Sequence, residues 1–149
     1  RVFWVGNKRV GCLSVIGFSR PMSILERLLY RSRASHDFGS LHLFKLLTEA
    51  RLRNEKLLVT GHLLYFGGCF TQCIEGPSES IDLLWSALST DPRHHDIELL
   101  ARHEISVRRF AQWSMAFSTY SSLYVHGMEG FFPVDDDGDS PLVRTCLAD

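Results

Sequence analysis

Three side chains carry most of the chemistry legible in this sequence: the phenol of Tyr30 and the primary amides of Asn54 and Gln72. Gln72 poses the sharpest question. It lies in the run GCFTQCIEG, and side chains on a strand alternate between faces, so Phe70, Gln72 and Ile74 share one face. If Phe70 and Ile74 point to the core, so does Gln72. A buried amide left without partners costs roughly 1–3 kcal/mol. Tyr30 lies mid-strand, and a buried tyrosine needs a partner for its hydroxyl. Asn54 ends the first helical stretch, where Asn is a common cap. Singly, each has a structural reading. Together, a phenol and two amides from adjacent parts of a small sheet and its covering helix point to a polar, planar ligand lodged between them.

Other chemistries fail on spacing. An EF-hand reading of the acidic run Asp135–Asp139 puts Pro133 at the first ligand position, and no Glu lies six residues after Gly138. That run reads as a solvated tail. His94 and His95 are adjacent and lack a third ligand nearby, so a loop or helix-end role is expected rather than a metal. No GxxxxGK[ST], GxSxG or HExxH occurs. The cysteines Cys12, Cys69, Cys73 and Cys146 form no CxxC pair. They read as reduced thiols in a cytoplasmic protein.

The elements that must position these groups follow from periodicity. Glu26–Ala34 reads as a strand. Ser40 is placed to N-cap a helix running from Leu41 to about Arg53, with Leu43, Leu46, Leu47 and Ala50 on one face. Leu57–Tyr65 and Cys69–Glu75 flank Gly67-Gly68 as a β-hairpin. Pro77-Ser78 opens a second helix with Ile81, Leu84, Trp85 and Leu88 on one face. Asp91–Asp96 is a predicted loop, Ile97–Ile105 a strand, and Trp113–Phe117 a last short strand on which Trp113 and Met115 share a face. The order is βαββαββ, an α+β ferredoxin-like arrangement with one extra strand: a five-stranded mixed sheet and two helices on one of its faces.

Bulk properties narrow the class. The 149 residues suit one domain, and the 45% hydrophobic and 22% charged shares are ordinary for a globular protein. Sixteen basic residues against seventeen acidic ones leave a net charge of −1 and no basic stripe, which argues against nucleic acid. The apolar run Val10–Phe18 is too short to span a membrane. The chain begins at Arg1 rather than Met and reads as an excerpt of something longer. Residues 1–24 are expected to be a leader or linker, 25–118 the domain, and 119–149 a C-terminal extension or linker.

The runs LLYRSRA, ARLRNEKLLVTGHLLYFGGCFTQCIEGP, STDPRHHDIELL and RRFAQWSMAFS resemble, in order and spacing, the BLUF domain family, blue-light sensors using FAD. The resemblance covers about Leu25 to Ser118 and implies the same βαββαββ fold, with the flavin between the helices. It implies that Tyr30 is the light-reactive tyrosine, Gln72 the switching glutamine and Asn54 a flavin contact. Trp113 and Met115 match the family's output residues on the last strand. Asp91, Arg93 and His94 fall where the ribityl-phosphate end is held, and Arg53 stands where several members carry Asn or His beside the ring. In the implied cycle Tyr30 gives the light-excited flavin an electron and then a proton relayed through Gln72. Gln72 ends rotated or tautomerised, with a new hydrogen bond to flavin O4 that shifts absorption to the red. The implied partners are the flavin, an effector such as an adenylyl cyclase in a longer chain, and a second copy as a homo-oligomer. The chain itself is expected to be a sensory module without catalysis. Alternatives are a ferredoxin-like RNA- or small-ligand-binding module and an acylphosphatase-like enzyme. The first lacks a basic-aromatic third strand and the second a phosphate loop.

Overall fold

The computed structural model describes residues 22–123 and 128–134. Most of the leader and of the acidic tail, with Cys12 and Cys146, lies outside the described residues. The element order is β1 (Leu25–Ala34), α1 (Ser40–Leu57), β2 (Thr60–Phe66), β3 (Cys69–Pro77), α2 (Ser78–Ser89), β4 (His94–Glu104) and β5 (Ala116–Ser118), followed by a 3₁₀ turn at Ser121–Leu123. The strands form one mixed sheet in the order β4-β1-β3-β2-β5, antiparallel except for the β2–β5 pair. This is the expected α+β βαββαββ architecture.

Both helices cover the same sheet face. Leu28 and Tyr30 of β1, Leu63 and Tyr65 of β2, and Phe70 and Ile74 of β3 are buried against Leu43 and Leu47 of α1 and Ile81, Leu84 and Leu88 of α2. These strand positions have the two-residue period of one face, and the helix positions the three-to-four-residue period of one stripe. A smaller cluster of Leu29, Cys73 and Phe110 covers the opposite face. There Glu75, fully buried, pairs with Arg27 at 2.8 Å and accepts the backbone N–H groups of Arg109 and Phe110. A buried carboxylate is tolerated only with such partners.

The hairpin turn holds as expected. Gly67 and Gly68 have φ of 57° and 72°, the left-handed pair that a two-residue hairpin requires. The β1–β3 register runs unbroken from Leu25↔Pro77 to Arg33↔Cys69, whereas the β1–β4 register shifts twice.

Five boundaries differ from expectation; the first is that β2 begins at Thr60 rather than Leu57, which belongs to α1. The N-cap of α1 is Gly39, which has no side chain to cap with; Ser40 is the first helical residue, and His42 Nδ1 accepts the Gly39 N–H at 3.4 Å. The helix runs on to Leu57, so Asn54 lies inside its last turn rather than capping it. Leu58 takes the left-handed conformation, and the backbone carbonyl of Asn54 accepts the Val59 N–H at 2.9 Å. β4 begins at His94, which shortens the expected loop to the turn before it. The last strand is only Ala116–Ser118, so Trp113 and Met115 precede it in irregular chain and share no strand face. The pull on that stretch comes from elsewhere: the Trp113 carbonyl accepts the Gly61 N–H at 3.1 Å, and the Trp113 N–H bonds Phe110 in a turn.

Candidate functional site

The unbroken β1–β3 register sets Tyr30 directly opposite Gln72, with Leu63 of β2 on the other flank of Gln72. Both polar side chains therefore enter the helix-covered face, at 2% and 3% exposure. The Tyr30 hydroxyl donates to Gln72 Oε1 at 2.5 Å, and Gln72 Nε2 donates to Met115 Sδ at 3.5 Å. The buried amide is thus anchored at both ends. Burial pushes the Tyr30 phenol well above the usual tyrosine range, opposed by the positive charge of Arg53, so its hydroxyl stays protonated and available as a donor. Trp85 of α2 meets the Tyr30 ring edge-on, with centroids 5.4 Å apart.

A cleft holding about 460 Å³ of empty space, part of it open to solvent, lies between the sheet and the two helices. Tyr30, Phe70 and Gln72 form part of its floor, Ala50 and Arg53 part of its α1 side, and Leu88 part of its α2 side. Asp91, Arg93 and His94 also line it. The turn after α2 is ordered by charge. Arg93 donates to both Asp91 carboxylate oxygens, at 2.6 Å from Nη2, and to Glu49 at 2.9 Å. These bonds hold the Asp91 carboxyl below the usual carboxylate range and raise Arg93. His94 is buried, sharing a proton position with Ser32 Oγ at 2.7 Å and bonding the Leu88 carbonyl at 2.7 Å. His94 thus opens β4 while its ring is tied to the end of α2; among the described residues no group of three or more metal-ligating side chains occurs.

Two buried polar atoms in α1 lack partners: Arg53 Nε and Asn54 Oδ1. Asn54 Nδ2 already donates to the Ser114 carbonyl at 2.8 Å, which leaves its acceptor oxygen free and fully buried. Of the two residues only Arg53 lines the cleft; Asn54 lies outside its lining. With the free Arg53 Nε donor and the Gln72 amide in its walls, the cleft fits the carbonyl-bearing ring of a flavin.

Trp113 and Met115 lie outside the cleft wall. Met115 is fully buried against Gln72, and Trp113 packs against the 128–134 segment, edge-on to Phe132 at 6.2 Å. A Cβ at Gly130 would lie 2.8 Å from the Trp113 ring, so only glycine fits beneath it. Sequence reasoning missed Arg51, whose Nε bonds the Met115 carbonyl at 3.0 Å, and the Arg27–Glu75 pair on the far face. Arg51 lies one turn before Asn54, a spacing that places the two on one helix face, but nothing in the local sequence marks it.

The family model described as BLUF, sensors of blue-light using FAD, matches residues 25–116. The chain is 33% identical over 116 residues to the photoactivated adenylate cyclase subunit beta of Euglena longa, covering 76% of this chain and 14% of that protein. The chain therefore spans about a seventh of the length of such curated relatives. Among solved structures, it resembles BlrB, a BLUF protein in its dark state, with TM-score 0.64 and 38% identity over 68% of this chain and 77% of that one. It also resembles Klebsiella pneumoniae BlrP1 with FMN and cyclic diGMP, with TM-score 0.59 and 36% identity over 63% of this chain and 25% of that one.

Proposed function

This chain belongs to the BLUF family of blue-light sensors, and from that premise we propose how its own residues sense light and report it. The domain is a flavin-binding photosensory module; the RNA-binding and acylphosphatase-like alternatives are not favoured. The flavin we take to be FAD, the one the family description names; once bound, Arg53 Nε would donate to a ring carbonyl and Asn54 Oδ1 would accept from the ring imide N–H. Arg93, with Asp91 and His94 beside it in the cleft wall, would hold the phosphate-bearing end of the cofactor.

The bond from the Tyr30 hydroxyl to Gln72 Oε1 carries the reading. The bound flavin supplies blue-light absorption and, once excited, an acceptor for one electron. Tyr30 is the donor, and its hydroxyl already points its proton along the bond to Gln72. Gln72 passes a proton onward, and when charge returns to Tyr30 the amide is left rotated or tautomerised. A rotated amide presents an NH₂ to the Tyr30 oxygen and its carbonyl to Met115 Sδ. Two acceptors then face each other, so the Gln72–Met115 bond is lost. Trp113 and Met115 carry that loss toward the effector.

We further infer that the effector is a nucleotide cyclase elsewhere in a longer cytoplasmic chain, as the names of the Euglena relatives suggest. No helix among the described residues is long and apolar enough to cross a membrane. The test is direct: purified protein should be yellow, should release its flavin on denaturation at one per chain, and should show a reversible red shift after blue light. Chromatography of the released flavin decides FAD against FMN. A chain that stays colourless after reconstitution with FAD refutes the reading.

A further inference from the structure

We propose that Arg51 is a positioning residue that ties the Gln72–Met115 contact to the C-terminal segment 128–134, so that light loosens this segment from the sheet. The inference rests on the photosensory reading above and extends it to a residue and a place.

The connection is continuous. Gln72 Nε2 donates to Met115 Sδ at 3.5 Å. The Met115 carbonyl accepts from Arg51 Nε at 3.0 Å, and Arg51 Nη2 donates to the Glu129 carbonyl at 2.6 Å. Nε and Nη2 lie on one edge of a rigid planar fork, so one carbonyl cannot shift far without disturbing the bond to the other. Asn54, three residues on, holds the neighbouring Ser114 carbonyl from the same helix. Burial lowers the Arg51 pKa, opposed by the Glu129 carboxylate, so this cation gives up solvent for the two carbonyls that bind it.

The far end of the connection is a sheet edge. Beyond β5, the 128–134 segment adds on in parallel, with Phe131 bridging Phe117. The Phe117 N–H bonds the Gly130 carbonyl at 2.7 Å, the Phe132 N–H bonds Phe117 at 2.7 Å, and the Val134 N–H bonds Thr119 at 3.1 Å. Trp113 lies against Gly130 and Phe132. The strip is short and bonded along one side; Met128 and Phe131 pack it against the core, and Arg51 adds a charged anchor. When the Gln72 amide releases Met115 Sδ, Met115 relaxes, its carbonyl shifts, and the fork transmits the shift to Glu129.

The experiment is amide hydrogen exchange, read residue by residue by NMR on the flavin-loaded chain in darkness and under blue light. In the unaltered protein, light should speed exchange at Phe132 and Val134 roughly tenfold, as loss of one hydrogen-bonded anchor implies. In Arg51→Gln the same amides should already exchange about tenfold faster in darkness, with no further change on illumination, while the red shift survives. Arg51→Lys keeps the charge but not the fork, and should behave like Arg51→Gln. Gln72→Leu lacks the bond to Met115 Sδ from the start, so its amides should exchange at the same rate in darkness and light, near the fast rate of the illuminated unaltered protein. Equal exchange in darkness and light in the unaltered protein overturns the proposal, and so does a full light response surviving in Arg51→Gln. A red shift with light-insensitive amides sinks this coupling alone. The lack of any red shift in the unaltered protein removes the photosensory reading as well.

Discussion

Tyr30 and Gln72 stand directly across from each other on β1 and β3, and the phenol hydroxyl donates to the amide Oε1 at 2.5 Å. The pairing joins two groups 42 residues apart in sequence, on neighbouring strands, in one buried polar link. A link of this kind separates chemistry from folding, because each partner has a near-isosteric substitute lacking its polar function.

Tyr30→Phe keeps the ring and its contact with Trp85 but removes the electron-donating phenol and its proton. Gln72→Leu keeps approximate volume and removes every donor and acceptor. Both variants should fold, at a cost of roughly 1–3 kcal/mol, and both should bind flavin. Neither should give the normal reversible red shift. Difference spectra before and after illumination decide it: a full shift in Gln72→Leu means that the amide is only a core group.

Asn54→Ala removes the unsatisfied Oδ1 and the bond to the Ser114 carbonyl together. Flavin should bind about tenfold or more weakly, equivalent to roughly 1.4 kcal/mol. Titration of the apoprotein with flavin measures this. Unchanged affinity would confine Asn54 to holding the 114–115 stretch.

Trp113→Ala opens the surface against Gly130 and Phe132 without touching the Tyr30–Gln72 bond. The red shift should persist, while dark recovery changes by several-fold, on the order of 1 kcal/mol in the barrier. Loss of the red shift itself would put Trp113 within the primary chemistry.

The Asp91–Arg93 pair should stabilise the domain in a pH-dependent way. Arg93 holds the Asp91 carboxyl below the usual carboxylate range. The contribution is therefore present above the unfolded value of about 3.9 and is lost as pH falls through the lowered folded value. The partly exposed setting limits it to a few degrees of melting temperature. The melting difference between the unaltered protein and Asp91→Asn should be constant from neutral pH down to about pH 5, then shrink in stronger acid. A difference that holds in full at the lowest pH would mean that Asp91 acts through neutral hydrogen bonds.

The site was more legible in the sequence than the frame around it. Gln72 gave itself away because an amide in strand alternation with Phe70 and Ile74 has to be buried and has to have partners. The hairpin was legible because Gly67 and Gly68 are the residues a left-handed two-residue turn needs. The end of α1 was not, because its cap is Leu58, a residue type with no preference for the left-handed conformation, and no glycine marks the stop. The 113–115 stretch imitates a strand because its large and small residues alternate. Its path is set instead by three outside donors, the Gly61 N–H, Asn54 and Arg51, which local pattern does not reveal. The buried Arg27–Glu75 pair was hidden for a similar reason: each reads as an exposed strand charge until the segment carrying Arg109 and Phe110 closes over them.

The unbroken β1–β3 ladder constrains how this gene can change. A residue added to or deleted from β1 before Tyr30 would turn the phenol to the opposite face, toward Arg27 and Glu75, and leave Gln72 facing the cleft alone. Such a protein could keep its shape and be blind. β1 meets its other neighbour, β4, with two register shifts already in place, so length changes there have somewhere to go. Lineages descended from this sequence should therefore exchange residues freely along β1 and β3 while keeping their lengths fixed, and should gather their insertions and deletions along β4 and its loops.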